Sequence, residues 1–262
     1  MNTQDYVCAS VHPEALIGEN VTVSPFVTID KNVEIGDGTY IYPNAVILSG
    51  ARIGKNCRIF PGAVVAAIPQ DLKFVGEDTT CIIGDNTTIR ECATVNRGTA
   101  SKGQTIVGSN CLLMAYSHTA HDCVVKDHVI LGNATQLAGE VVVDDYAILS
   151  GGSLVHQFSR IGKHVMLQGG SKVSKDIPPY ITAGREPLTF SGVNIVGLRR
   201  RGFTTEQISA LQEIYRQLYQ SGMNNSAAIE YIKSNLPDSE EKQTVIDFIV
   251  SSQRGIIRGY LE

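Results

Sequence analysis

Tryptophan is absent from the 262 residues, which hold only 7 Phe and 10 Tyr against 25 Gly. That balance points away from an aromatic globular core and towards a repetitive fold built on tight turns. An excess of either charge is missing too: 22 Lys and Arg face 26 Asp and Glu, so no basic footprint for nucleic acid is present. No stretch approaches the ~18 apolar residues of a membrane span. The opening segment MNTQDYVCASVHPEA has neither a basic start nor an apolar run, which predicts no signal peptide. The six cysteines show no paired spacing and read as reduced thiols of a cytoplasmic protein. Around the stretch MAYSHTAHDC, with His118 and His121 three apart, there is no G-x-S-x-G, C-x-x-C or H-E-x-x-H.

What is present is a period of six. Stepping by six from Val11 to Val173 visits 28 positions, of which 24 are Val, Ile or Leu, although these types make up only 67 of the 262 residues. Four residues after each aliphatic lies a small or β-branched slot, as at Thr39, Ala45, Ala93 and Ser153, and Cys57, Cys111 and Cys123 fill it as packing residues. Glycine often follows the aliphatic, as at Gly18, Gly36, Gly54 and Gly132, where tolerance of positive φ at corners is the expected reason. One inward aliphatic per six residues suits neither a helix nor an amphipathic strand. It suits short strands wound into a parallel β-helix, each coil burying its aliphatics on the next.

These features resemble the hexapeptide-repeat acyltransferases. The resemblance implies a left-handed triangular prism with eighteen residues per coil. The ladder fails at Asp71, Glu77, Ser101 and Thr119. Charge is costly in a dry core, so excursions are expected near 66–82 and 99–106. The pattern stops at DIPPY after Val173. Beyond it, helical spacing of apolar residues predicts helices over 205–219, 226–235 and 238–253, with Gly222 as a stop. The expected fold is thus mainly β: a prism over residues 1–185, then a small α-helical domain over 186–262.

Eighteen-residue coils stack His121 on Gly139 and Gly139 on Gln157, and Asp122 on Glu140, with His156 alongside. A polar strip His118, His121, Asp122, Glu140, His156, Gln157 follows. Imidazole titrates near neutrality and can deprotonate a hydroxyl. A neighbouring carboxylate would orient it, and a glycine N–H would stabilise an oxyanion. His12, His128 and His164 read as structural.

The segments QDLKFVGE, NRGT, HTAHDC, LVHQF, DIPPY and GVNIVGLRRRGF narrow the resemblance to the UDP-N-acetylglucosamine O-acyltransferase family of lipid A biosynthesis. It implies His121 as general base, Asp122 as its orienting carboxylate and Gly139 as the oxyanion donor. It also implies substrate contacts from Asp71, Lys73, His118, Glu140, His156, Gln157, Asn194 and Arg200, and an acyl-length gate at Gly169. No cofactor or metal is implied, because the 3-hydroxyacyl donor rides on the phosphopantetheine of acyl carrier protein. Sites lie between the subunits of a homotrimer in that family. Departures are Glu140 and Pro187, where histidines are common, and Gln168, bulkier than usual. The alternatives are the sibling N-acyltransferase of the same pathway, a zinc enzyme, and a non-catalytic β-helix.

Overall fold

A computed structural model describes residues 8–259. Strands of two to four residues build three parallel sheets, which are the faces of a left-handed β-helix. The first face carries, in order, 10–11, 28–29, 46–47, 64–67, 94–96, 118–119, 136–137, 154–155 and 172–173; the second carries 16–17, 34–35, 51–53, 80–83, 104–107, 124–125, 142–143 and 160–161. The third carries 58–59, 88–89, 112–113, 130–131, 148–149 and 166–167. From residue 104 onward successive partners are eighteen apart, as in Val107↔Val125↔Val143. The stepped aliphatics point inward: Ile41, Ile59, Ile89, Leu113, Leu131 and Leu149 are fully buried. Each contributes about 1.5–3 kcal/mol of burial against the coils above and below.

Two excursions interrupt the count. Cys81 pairs with Ala51, thirty residues away, and Thr105 with Cys81, twenty-four away. The first excursion therefore adds twelve residues to a coil and the second six. Both leave the first face and return on the second, between Ala67 and Thr80 and between Asn96 and Gln104. They project from one edge of the prism. Thr119, the fourth break, stays in the inward slot and is fully buried, its Oγ1 without a partner among the described residues.

The glycines after the aliphatics do not serve the purpose expected of them. Gly36 and Gly54 have ordinary φ, and a Cβ on Gly36 would lie 2.7 Å from the backbone of Gly54 in the next coil. They allow coils to stack closely. Positive φ falls instead at the corners, largely on other residues, among them Asn20, Asn56, Asn86, Asn110, Tyr116 and Asp122. Asparagine and aspartate tolerate that region through local hydrogen bonds.

The prism also continues past Val173. Leu167 pairs with Ala183 and Ile161 bridges Ile177, each sixteen residues on, so one coil is two residues short. Ile177 and Ala183 fill inward slots that a strict step of six misses. Strand 181–184 then turns into an antiparallel partner, 189–193. Four helices follow: α1 (Ile195–Arg200), α2 (Thr205–Gln220), α3 (Asn225–Asn235) and α4 (Glu240–Val250). A capping box of Thr204 and Gln207 starts α2, which buries Ile208, Leu211, Ile214, Tyr215 and Leu218. Short α1 carries no periodic stripe long enough to be read from sequence.

The edge between the second and third faces carries a ring stack. His128, Tyr146, His164 and Tyr180 lie face to face with centroids 4.5, 4.9 and 5.6 Å apart. Burial, aided by the charges of Arg201 and Lys163, pushes His164 down to about 4. A histidine depressed in the folded state is protonated first in the unfolded chain. Its contribution is thus complete above its unfolded value near 6.5 and is lost as pH falls towards 4, a loss of about 3 kcal/mol. Denaturant unfolding across that window is expected to show this slope, and His164→Phe to flatten it.

Candidate active site

The edge that bears both excursions also bears the central residues of the polar strip. Between the first and second faces the chain turns at His121–Asp122, one coil later at Gly139–Glu140, and again at Gln157–Phe158. Hydrogen bonds from the Glu140 N–H to the His121 carbonyl (3.0 Å) and from the Phe158 N–H to the Gly139 carbonyl (3.2 Å) stack these corners as the arithmetic of eighteen requires.

His121 and Asp122 form a dyad. The imidazole Nδ1 lies 2.8 Å from Asp122 Oδ2. Asp122 is fully buried and accepts the Thr99 hydroxyl (2.6 Å) and the N–H groups of Thr99 (3.0 Å) and Lys102 (3.2 Å). Burial alone would raise its carboxyl, but the hydrogen bonds from Thr99, His121 and the loop backbone outweigh it and hold it below the usual range. A carboxylate can only accept, so Nδ1 carries a proton, and it is Nε2 that holds the lone pair in the neutral ring. Asp71, on the first excursion, stands 3.9 Å from Nε2, too far for a hydrogen bond but close enough to stabilise an imidazolium.

His121 lines a groove of about 920 Å³ along the first face. Leu137, Leu154, Val155, Val173 and Leu188 make its wall apolar, with Ile257 at the C-terminal end. His118 lines it beside His121, its Nδ1 2.7 Å from the Thr94 hydroxyl. Burial first, and the neighbouring His121 second, push His118 down and favour its neutral form. His156 lines the groove one coil beyond Ala138 and donates Nδ1–H to the Gln157 carbonyl at 3.0 Å.

Gly139 is buried beneath the dyad and does not line the groove. A Cβ there would lie 2.5 Å from His121 Cε1 and 2.6 Å from Nε2, so the imidazole occupies the space a side chain would need. Glu140 turns to the second excursion, its Oε1 accepting the Ser101 hydroxyl at 3.1 Å. Gln157 is half-buried at its corner, and Lys73 is exposed on the first excursion.

Three anticipated residues do not join this edge within one chain. Gly169 lies on the edge between the third and first faces, above Gly151. Asn194 is buried at the remaining edge, where it donates to the His164 carbonyl (2.9 Å) and accepts the Gly197 N–H to cap α1. Arg200 is exposed in the last turn of α1. Other residues were not anticipated. Lys172 lines the groove, and adding eighteen three times to His118 leads through Gln136 and Leu154 to it. Gln70 and Lys175 line it as well. Thr94 reaches His118 and Thr99 reaches Asp122 only because an excursion lengthens the coil, and no sequence spacing announces them.

Comparison with known proteins gives the family. The family model described as Udp N-acetylglucosamine O-acyltransferase, Domain 2, matches residues 176–257, and one described as GMPPB C-terminal domain matches residues 7–102. An acyl-[acyl-carrier-protein]–UDP-N-acetylglucosamine O-acyltransferase of Halorhodospira halophila is 43% identical over 251 residues, 95% of this chain and 97% of that protein. The crystal structure of a UDP-N-acetylglucosamine acyltransferase from Bacteroides fragilis 9343 superposes with a TM-score of 0.95 at 57% identity, covering 96% of this chain and 98% of that one. The Francisella novicida UDP-N-acetylglucosamine acyltransferase gives 0.94 at 41% identity, covering 97% and 93%. Identity at this level across nearly the whole length of both chains places the protein: it belongs to the UDP-N-acetylglucosamine O-acyltransferase family.

Proposed function

We propose that the protein transfers a 3-hydroxyacyl chain from acyl carrier protein to the glucosamine 3-hydroxyl of UDP-N-acetylglucosamine, the first step of lipid A biosynthesis. The observation that carries the chemistry is the His121–Asp122 dyad, whose imidazole lines the apolar groove. His121 takes the hydroxyl proton as the oxygen attacks the thioester carbonyl. Asp122 holds the tautomer and stabilises the imidazolium, with Asp71 as a second anion on the other nitrogen. Although Gly139 does not itself line the groove, its N–H makes no hydrogen bond among the described residues, and we assign that donor to the developing oxyanion. His121 then returns the proton to the departing thiolate of the carrier's phosphopantetheine. No further cofactor enters.

The groove's apolar wall suits a long acyl chain, with His118 and His156 on the sugar; we assign Gln157 and Lys73 to the same sugar from outside the groove's lining. Gly169 and Asn194 lie on the other two edges of the same chain, and Arg200 lies in the helix that follows Asn194. Their assigned roles, at the acyl tail and the nucleotide, are met when a neighbouring prism brings those edges to the dyad, which supports a homotrimer with shared sites. Among the described residues no helix is long and apolar enough to cross a membrane, and we place the enzyme in the cytoplasm.

Incubation with UDP-N-acetylglucosamine and a ladder of 3-hydroxyacyl carrier proteins is expected to give a product heavier by one acyl group and cleaved by mild alkali, as an ester is. Transfer only to an acceptor with a free glucosamine amine, giving an alkali-stable amide, would favour the N-acylating sibling. No product with any chain length would overturn the reading.

A further inference from the structure

We propose that Glu140 is a positioning residue: it clips the second excursion to the prism and, through it, fixes Asp122. The inference rests on the reaction proposed above and assigns Glu140 a different part in it from sugar contact. Among the described residues Glu140 does not line the groove. Its backbone is fixed at the corner, with φ +61° and its N–H on the His121 carbonyl. From there Oε1 accepts the Ser101 hydroxyl at 3.1 Å and Oε2 lies 3.7 Å from Lys102 Nζ.

Those two residues are the tip of the turn that holds the dyad. The Gly103 N–H closes on the Thr99 carbonyl at 2.7 Å and the Ser101 N–H on the Thr99 hydroxyl at 3.2 Å. The closed turn aims the N–H groups of Thr99 and Lys102 and the Thr99 hydroxyl at the Asp122 carboxylate. Lys102 Nζ also donates to the Asp122 carbonyl at 3.2 Å, so one lysine ties the carboxylate's own backbone to Glu140. Three donors on one short turn keep Asp122 ionised and oriented only while the turn stays docked. Ser101 and Lys102 are exposed, and each contact is weak by itself. Their effect lies in fixing the tip of a loop whose other ties are Asp122 and, at its two ends, the Thr80 backbone, which accepts the Gly98 N–H and donates to the Gly103 carbonyl (both 3.0 Å).

The test is a double-mutant cycle read in kcat and KM separately, with Glu140→Ala, Lys102→Met and both together. Each single change is expected to lower kcat about five-fold and leave the UDP-N-acetylglucosamine KM within about two-fold, and the pair to cost no more than the worse single. Glu140→Gln, which keeps an acceptor for Ser101, is expected to recover part of the loss. Losses that multiply, or a Glu140→Ala effect confined to KM, would overturn the clip and return Glu140 to the sugar. Amide hydrogen exchange separates this from failure of the reaction itself. With no substrate present, the Thr99 and Lys102 amides are expected to exchange faster in Glu140→Ala while the prism strands stay protected. Unchanged exchange would sink the proposal whatever the catalytic result, whereas an inactive wild type with the exchange difference intact would sink only the reaction.

Discussion

Replacing His121 by alanine is expected to lower the rate of acyl transfer by about 100-fold or more, the range lost with a positioned general base. The fold should survive, because the stability of this region does not depend on the imidazole. Asp122 keeps three donors from Thr99 and Lys102 when the ring is gone, so no bare carboxylate is left in the interior. The inward ladder beneath, Val125, Leu131 and Leu137, is untouched. Circular dichroism melts would therefore match the wild type within a few degrees while kcat collapses. A variant that kept its rate would mean that another group, such as His118 or His156, removes the proton.

Gly139→Ala is expected to have an effect of similar size for a different reason. The added Cβ would sit 2.5 Å from His121 Cε1, far inside contact distance, while the backbone φ there is unremarkable for alanine. Strain therefore falls on the imidazole, which must tilt away from Asp122 or into the groove. A misplacement of about 1 Å at a reacting group can cost about 100-fold. The loss should appear in kcat, with UDP-N-acetylglucosamine still bound. Wild-type activity in Gly139→Ala would show that the ring moves aside freely, and that the glycine's backbone is not part of the site.

The repeat was legible because every coil must supply one inward aliphatic per face, and the corner arithmetic that stacks His121 on Gly139 depends on that register alone. Where register breaks, legibility ends. The coil through Ile177 is two residues short, so the step of six loses it although the packing continues. Asp71 and Ser101 marked the excursions as foreign to the core, but not what their loops grasp. The grip of Thr99 on Asp122 depends on how a turn folds outside the lattice. Gly36 was visible and its reason misread, because close coil stacking and positive φ both select glycine and only coordinates tell them apart. Gly169 meets a limit of another kind: one chain's repeat fixes the edge it occupies, Asn194 and Arg200 follow beyond the coils, and the joining of these places proposed above would be a property of assembly.

The central claim is that the dyad deprotonates the glucosamine 3-hydroxyl for attack on a carrier-bound thioester. Release of free carrier-protein thiol, followed with UDP-N-acetylglucosamine and with its 3-deoxy analogue, tests it most directly. Rapid release with the former and background release with the latter is the predicted result. Equal release with both sugars would show that the thioester is consumed without that hydroxyl, and would contradict it.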